Sequence, residues 1–207
     1  MEKEQYWSKF ADDFEEKNSY VVGDDMAIIL DEVKQQKALK NILELACGNG
    51  TYSKILSEEA NQLTATDFSD EMVQVATNRL KNFDNIKVEK ADCFNMQYED
   101  STFDTIFMAN LLHIIPEPEK AIAECQRVLK KDGRLIVVSF TSEGMTIINR
   151  ILMILRYLKT YGKPSPFAHN LTISKTEEIL IKNGFQLTES KLLGQKMKAI
   201  FVTCSPL

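Results

Sequence analysis

Short apolar runs alternate with segments of helical periodicity along most of the chain. The runs at 41–46, 62–67, 86–91, 103–109 and 134–140 have the length and content of buried strands. Between them, 70–80 reads as a helix capped by Ser69 or Asp70. A second helix, 117–130, is started by Pro116 and Pro118 and stopped by Asp132-Gly133. Strands alternating with helices imply a parallel sheet covered on both faces. The end of the chain differs: 185–193 and 196–203 are strand-like and joined by Gly194-Gln195, as in an antiparallel hairpin. Ahead of the first strand, Tyr6, Trp7, Phe10 and Phe14 stand at helical spacing and predict one helix with an aromatic face. Segment 145–161 is also helical. It has Ile147, Ile151, Ile154 and Leu158 on one face and Ile148, Leu152 and Leu155 beside it, an apolar arc wider than a surface helix needs.

Composition narrows the class. The 207 residues suit one domain with a real core, and 44% hydrophobic with 27% charged content is that of a globular protein. A net charge of −5 argues against nucleic-acid binding, which needs a basic stripe. The four cysteines, Cys47, Cys93, Cys125 and Cys204, form no Cys-x-x-Cys pair, so no metal site is expected. The start, Met1 to Gln5, is too polar for a signal peptide, and no apolar run approaches membrane-spanning length. The expected location is therefore cytoplasmic, without a stable membrane anchor, and a homo-oligomer stays open.

Chemistry concentrates where strands end. The first predicted strand runs through Glu44 into Ala46-Cys47-Gly48-Asn49-Gly50, a turn that opens a helix. Glycines let the backbone approach a ligand closely, and the free N–H groups of a helix start favour an electron-rich one. Glu44 is expected to add a carboxylate to the same pocket. In a sheet of this kind ligands bind beyond the carboxyl ends of the strands. Asp67 ends the second predicted strand, where an acid can grip ribose hydroxyls. Asp92 follows the third and Asn110 the fourth. Each could be a turn residue alone, but three in series after a glycine turn point to a nucleotide-like ligand.

These ordered motifs make the chain, from about Tyr6 to Leu207, resemble the class I S-adenosylmethionine-dependent methyltransferases, in particular their small-molecule branch with the quinone-biosynthesis enzymes. Glu44-Leu-Ala-Cys-Gly-Asn-Gly50 looks like the first family motif and Thr66-Asp-Phe-Ser-Asp-Glu-Met72 the second. Ala91-Asp92 looks like the third, and Phe103-Asp104 through His113 the fourth. Ala46 departs from the pattern, standing where many members have glycine. The resemblance implies an α/β, Rossmann-like, doubly wound, seven-stranded and mainly parallel sheet with an antiparallel C-terminal hairpin. It implies a single domain, 1–207, with a helical lid region at 1–35 and an inserted helical cap at 141–172. The implied cofactor is S-adenosyl-L-methionine. Glu44 and the Ala46–Gly50 backbone would lie at its methionine end, Asp67 at the ribose, Phe68 or Met72 on the adenine, Asp92 and Cys93 at the adenine amino group, and Asn110 near the sulfonium.

The acceptor follows by exclusion. No Asn/Asp-Pro-Pro-aromatic run and no Pro-Cys pair occurs, which leaves a small molecule; the apolar arc of 145–161, read as a lid or mouth over the acceptor, suggests an apolar or amphiphilic one. His113 is the candidate base, if the acceptor must lose a proton; a packed structural histidine is the alternative. Tyr6, Trp7, Phe10, Tyr20, Phe140 and Tyr157 are the candidate lid and substrate contacts. Two other readings stay open. One is a non-catalytic member that binds cofactor or a partner. The other is a nicotinamide-dependent oxidoreductase, against which stands the lack of a Tyr-x-x-x-Lys pair.

Overall fold

The computed structural model of the chain describes residues 5–207; the polar segment 1–4, where the predicted lid region begins, lies outside them. Seven strands form one sheet: β1 (Lys40–Leu45), β2 (Ala60–Asp67), β3 (Ile86–Lys90), β4 (Phe103–Ala109), β5 (Leu129–Thr141), β6 (Phe185–Leu193) and β7 (Lys198–Pro206). Their order is β3-β2-β1-β4-β5-β7-β6. Neighbours from β3 to β5 are parallel, and β7 runs antiparallel to both β5 and β6. The helices are α1 (Gln5–Ser8), α2 (Phe14–Val22), α3 (Asp25–Lys34), α4 (Thr51–Ser57), α5 (Asp70–Leu80), α6 (Pro118–Val128), α7 (Ile147–Tyr161) and α8 (Ile173–Lys182). The expected mainly parallel sheet with its antiparallel end is the sheet observed.

Period-two alternation builds two apolar layers. Leu43 and Leu45 of β1 pack with Ile106 and Met108 of β4 and with α6 and α8; Ile42 packs on the other side with Leu63, Phe107 and α3 to α5. Because both faces are covered, the central strands read as near-continuous apolar runs rather than alternating ones. The order in which strands are added reverses between β1 and β4, the position where sheets of this kind leave a crevice beyond the strand ends.

Four local expectations are corrected. The aromatic N-terminal segment is not one helix. It breaks into α1, a 3-10 turn at Ala11–Asp13 and α2, so that its rings wrap a common neighbour: Trp7 and Phe10 meet the Tyr161 ring edge-on, at 5.7 and 5.0 Å. α6 ends at Val128, not at the glycine. Leu129 already pairs with Phe103, and 130–133 bulge before Arg134 rejoins the register opposite Thr105. Gly133 is required inside that bulge, since a Cβ would lie 2.9 Å from the Asp104 carbonyl. β7 begins at Lys198 because 194–197 form the hairpin loop, where a Cβ on Gly194 would collide with the Met197 carbonyl. Finally, the apolar arc of α7, wider than a surface helix needs, is nevertheless not covered. Ile147 (78%), Ile148 (71%) and Leu155 (58%) are among its apolar residues exposed to solvent.

One carboxylate fastens the N-terminal helices to the far end of the sheet. Asp25 is buried, and it accepts the N–H groups of Gln195, Lys196 and Met197 at 2.6, 2.9 and 2.7 Å. Burial alone would raise its pKa, but the three backbone donors outweigh it and hold the carboxyl below its ordinary range.

Candidate functional site

A cavity of about 830 Å³ opens over the carboxyl ends of β1 to β5, within the usual range for small-molecule sites. Its floor is the turn after β1. Ala46, Gly48 and Gly50 all have left-handed backbone, with φ of 56, 55 and 80°. Ala46 therefore holds a conformation that costs an L-residue roughly 1–2 kcal/mol, where glycine would adopt it freely. Cys47, Gly48 and Asn49 line the floor with it.

Asp67, at the end of β2, closes one wall. Its carboxylate accepts the Gly48 N–H at 2.9 Å and the Ser69 N–H at 3.0 Å. Burial raises its pKa, with those backbone donors opposing. Among the described residues no lysine or arginine forms an ion pair with it. Phe68 and Met72 follow on the same wall, Met72 fixed by its N–H donation to the Ser69 cap. Asp92 and Cys93 continue it after β3. The Asp92 carboxylate turns the chain by accepting the Phe94 N–H at 2.9 Å, which brings Phe94 to the cavity.

Asn110, after β4, has φ of 58°, donates its backbone N–H to Val138 and accepts the Phe140 N–H on its side-chain oxygen at 3.0 Å. The opposite side is more apolar and comprises Trp7, Phe140, Met153 and Tyr157 with His113. His113 Nδ1 lies 2.8 Å from the buried Ser139 hydroxyl. Burial, with His169 nearby, pushes its pKa down to about 4, so the ring is neutral at physiological pH.

Five expected contacts are placed elsewhere. Glu44 is buried beneath the turn, where its carboxyl accepts the Ser53 hydroxyl at 2.5 Å. Gly50 starts α4 against Leu80 rather than facing the cavity. Tyr6 and Phe10 stand behind the lining. The Tyr6 hydroxyl meets that of Tyr157 at 3.1 Å and donates to the Lys163 carbonyl at 2.8 Å, while Phe10 packs on Tyr161. Tyr20 is exposed, beside Arg156 and Lys159.

Two residues that sequence reasoning passed over line the cavity. The hydroxyls of Tyr52 and Tyr161 are buried and lack a hydrogen-bond partner among the described residues, which is costly unless a ligand supplies one. Tyr52 lies one residue inside the helix that the glycine turn opens, and that position was the available signal. An uncompensated carboxylate, two orphan hydroxyls and an apolar, partly aromatic lining suit a ligand with a hydroxylated, nucleoside-like body and a polar end.

Comparison with known proteins agrees with that geometry. A family profile described as "Methyltransferase domain" matches residues 43–137. The demethylmenaquinone methyltransferase of Clavibacter sepedonicus is 32% identical over 111 residues, 54% of this chain and 45% of that protein. An uncharacterized methyltransferase of Bacillus subtilis is 26% identical over 140 residues, 67% of this chain and 55% of that protein. The chain thus spans about half the length of the curated relatives it matches. Among solved structures, a SAM-dependent methyltransferase from Aquifex aeolicus superposes with a TM-score of 0.72 at 20% identity, covering 97% of this chain and 98% of that one. Over residues 43–137 the chain thus matches the methyltransferase domain, and its fold is the one seen in solved SAM-dependent methyltransferases.

Proposed function

We propose that the chain binds S-adenosyl-L-methionine in the 830 Å³ cavity and methylates a small apolar or amphiphilic acceptor, of the quinone-precursor class that its relatives' names suggest. The observation that carries this reading is Asp67. It is a walled-in carboxylate at the end of β2 with no cationic partner among the described residues, and it lies beside a turn whose backbone is open to a ligand. Two ribose hydroxyls would donate to the lone pairs that Gly48 and Ser69 leave free. Phe68, Met72 and Phe94 would hold a flat base between Asp67 and Asp92. Tyr52 would find its missing partner in the polar end of the ligand.

When bound, the sulfonium supplies an already activated methyl group, so the protein's work is positioning and exclusion of water. The lid region 1–35 and the cap 141–172 serve that purpose through Trp7, Phe14, Met153 and Tyr157. His113 is neutral. With the Nδ1 proton donated to Ser139, its Nε2 is left to accept a proton from a hydroxyl or ring carbon of the acceptor. A base of such low pKa removes the proton as attack proceeds, not beforehand.

Calorimetric titration with S-adenosylmethionine, S-adenosylhomocysteine and NADH tests the reading. The first two should bind and NADH should not, and Asp67→Ala should weaken binding by at least about tenfold, the loss of a charge-assisted hydrogen-bond pair. Absence of binding by both sulfur compounds would sink the proposal. For the base, His113→Ala should cut turnover roughly a hundredfold while leaving cofactor affinity within a factor of two to three. Unchanged turnover would remove His113 from the chemistry.

A further inference from the structure

α7 turns two faces in opposite directions. Met153, Tyr157 and Tyr161 point inward, where all three line the cavity. Seven apolar residues, Ile147, Ile148, Ile151, Leu152, Ile154, Leu155 and Leu158, are 45% exposed or more. At 100° per residue these seven occupy one continuous arc of roughly 160°. Arg150 borders the arc on one side and Arg156 on the other, while Lys159 falls within it near the C-terminal end of the helix. None of the three forms an ion pair with a carboxylate among the described residues. Arg150 donates to the Ser142 carbonyl, while Arg156 and Lys159 flank the exposed ring of Tyr20.

The charge around this arc is one-sided. From Gly144 to Thr176 the sequence holds no Asp or Glu, but it has Arg150, Arg156, Lys159, Lys163 and Lys175, in a chain whose net charge is −5. An exposed apolar stripe of this size on a globular surface marks an interaction site. An apolar stripe with basic margins is the pattern of a helix that lies in the plane of a bilayer, its side chains among the acyl chains and its cations at the headgroups. A second copy docked through the same face would set arginines against arginines, with no acid on the segment to offset them. α7 is too short to cross a membrane, and among the described residues no helix is long and apolar enough to do so.

We propose that the outer face of α7 docks the protein on an anionic membrane surface. Docking sets the inner face of the same helix, and the cavity behind it, beside the bilayer interface. Where the acceptor is apolar, as the proposed function has it, the acceptor would enter from lipid rather than from water. The docking itself does not depend on that reading.

The full chain, without cofactor or acceptor, is floated with vesicles of phosphatidylcholine alone and of phosphatidylcholine with about 30% phosphatidylglycerol. Binding is expected to the anionic vesicles, at least about tenfold stronger than to neutral ones, and weakened by added salt. Combined Ile147→Ser, Ile151→Ser and Leu155→Ser should abolish it, as should combined Arg150→Glu and Arg156→Glu. All five side chains lie outside the cavity lining, so circular dichroism and cofactor titration of the same variants should match the parent. Failure to bind anionic vesicles, or binding that survives both sets of changes, overturns the proposal. So does a dimer in sedimentation velocity that the serine variant dissociates, if no vesicle binding accompanies it. Because the titration uses no lipid and the flotation no cofactor, failure of docking and failure of the methyltransferase reading are read separately.

Discussion

Glu44 is held with its proton at neutral pH: burial pushes its carboxyl up to about 8, the Ser53 hydroxyl opposes that, and the charge of Asp67 adds to it. In the unfolded chain the same group releases its proton near 4.5. Between the two values the folded state binds the extra proton, so stability falls as pH rises. His113 has the opposite sign. Its folded value of about 4 lies below the ordinary 6.5, so its contribution grows as pH rises through that window. The two offset each other below about pH 6.5, and above it Glu44 acts without His113. From pH 6.5 to 8 the melting temperature of the wild type should therefore fall relative to that of Glu44→Gln; parallel curves would mean that Glu44 is ionised in the fold. Glu44 also marks a limit of what the sequence makes legible. Asp67, Asp92 and Asn110 reach the cavity because a strand end alone puts them there. Glu44 precedes the end of β1, and strand alternation turns it under the turn toward Ser53, which only the packed helix reveals.

At the scale of elements, the sheet was legible because its strands are short, apolar and punctuated, and each central strand was located to within two residues at its carboxyl end. Boundaries set by distant contacts were not. α6 stops early because Leu129 finds Phe103, and the N-terminal segment breaks because Trp7 and Phe10 both find Tyr161. The sequence showed the apolar arc of α7 but nothing of what covers it. The N-terminal elements touch the rest through aromatic packing on α7 and through polar contacts to α5 and its cap, Ser8 with Ser69 and Glu15 with Arg79, while Asp25, outside these contacts, keeps α3 attached. Deleting residues before Tyr20 should therefore leave circular dichroism close to that of the full chain and weaken cofactor binding by about tenfold or more, through loss of Trp7 and Phe14 from the cavity wall. Global unfolding of the truncation would make these elements part of the core instead.

Across the whole molecule, the crevice between β1 and β4 lies in the middle of the sheet, and Asp25 ties α3 to the β6–β7 hairpin. Asp25→Ala strands three backbone N–H groups that the carboxylate now satisfies, and should cost about 2–4 kcal/mol in denaturant unfolding. A cost below about 0.5 kcal/mol would show that water replaces the carboxylate without loss. Strand order has one more consequence. β7 lies between β5 and β6 although it follows both in the chain, so neither β6 nor the outer edge of β5 has a partner until β7 arrives. On a ribosome, β6 is complete at Leu193 and β7 at Pro206. At ordinary elongation rates that interval lasts about one to three seconds. During it the nascent chain presents an unpaired β5 edge, which makes the interval before β7 is made the one in which this sheet most needs a chaperone.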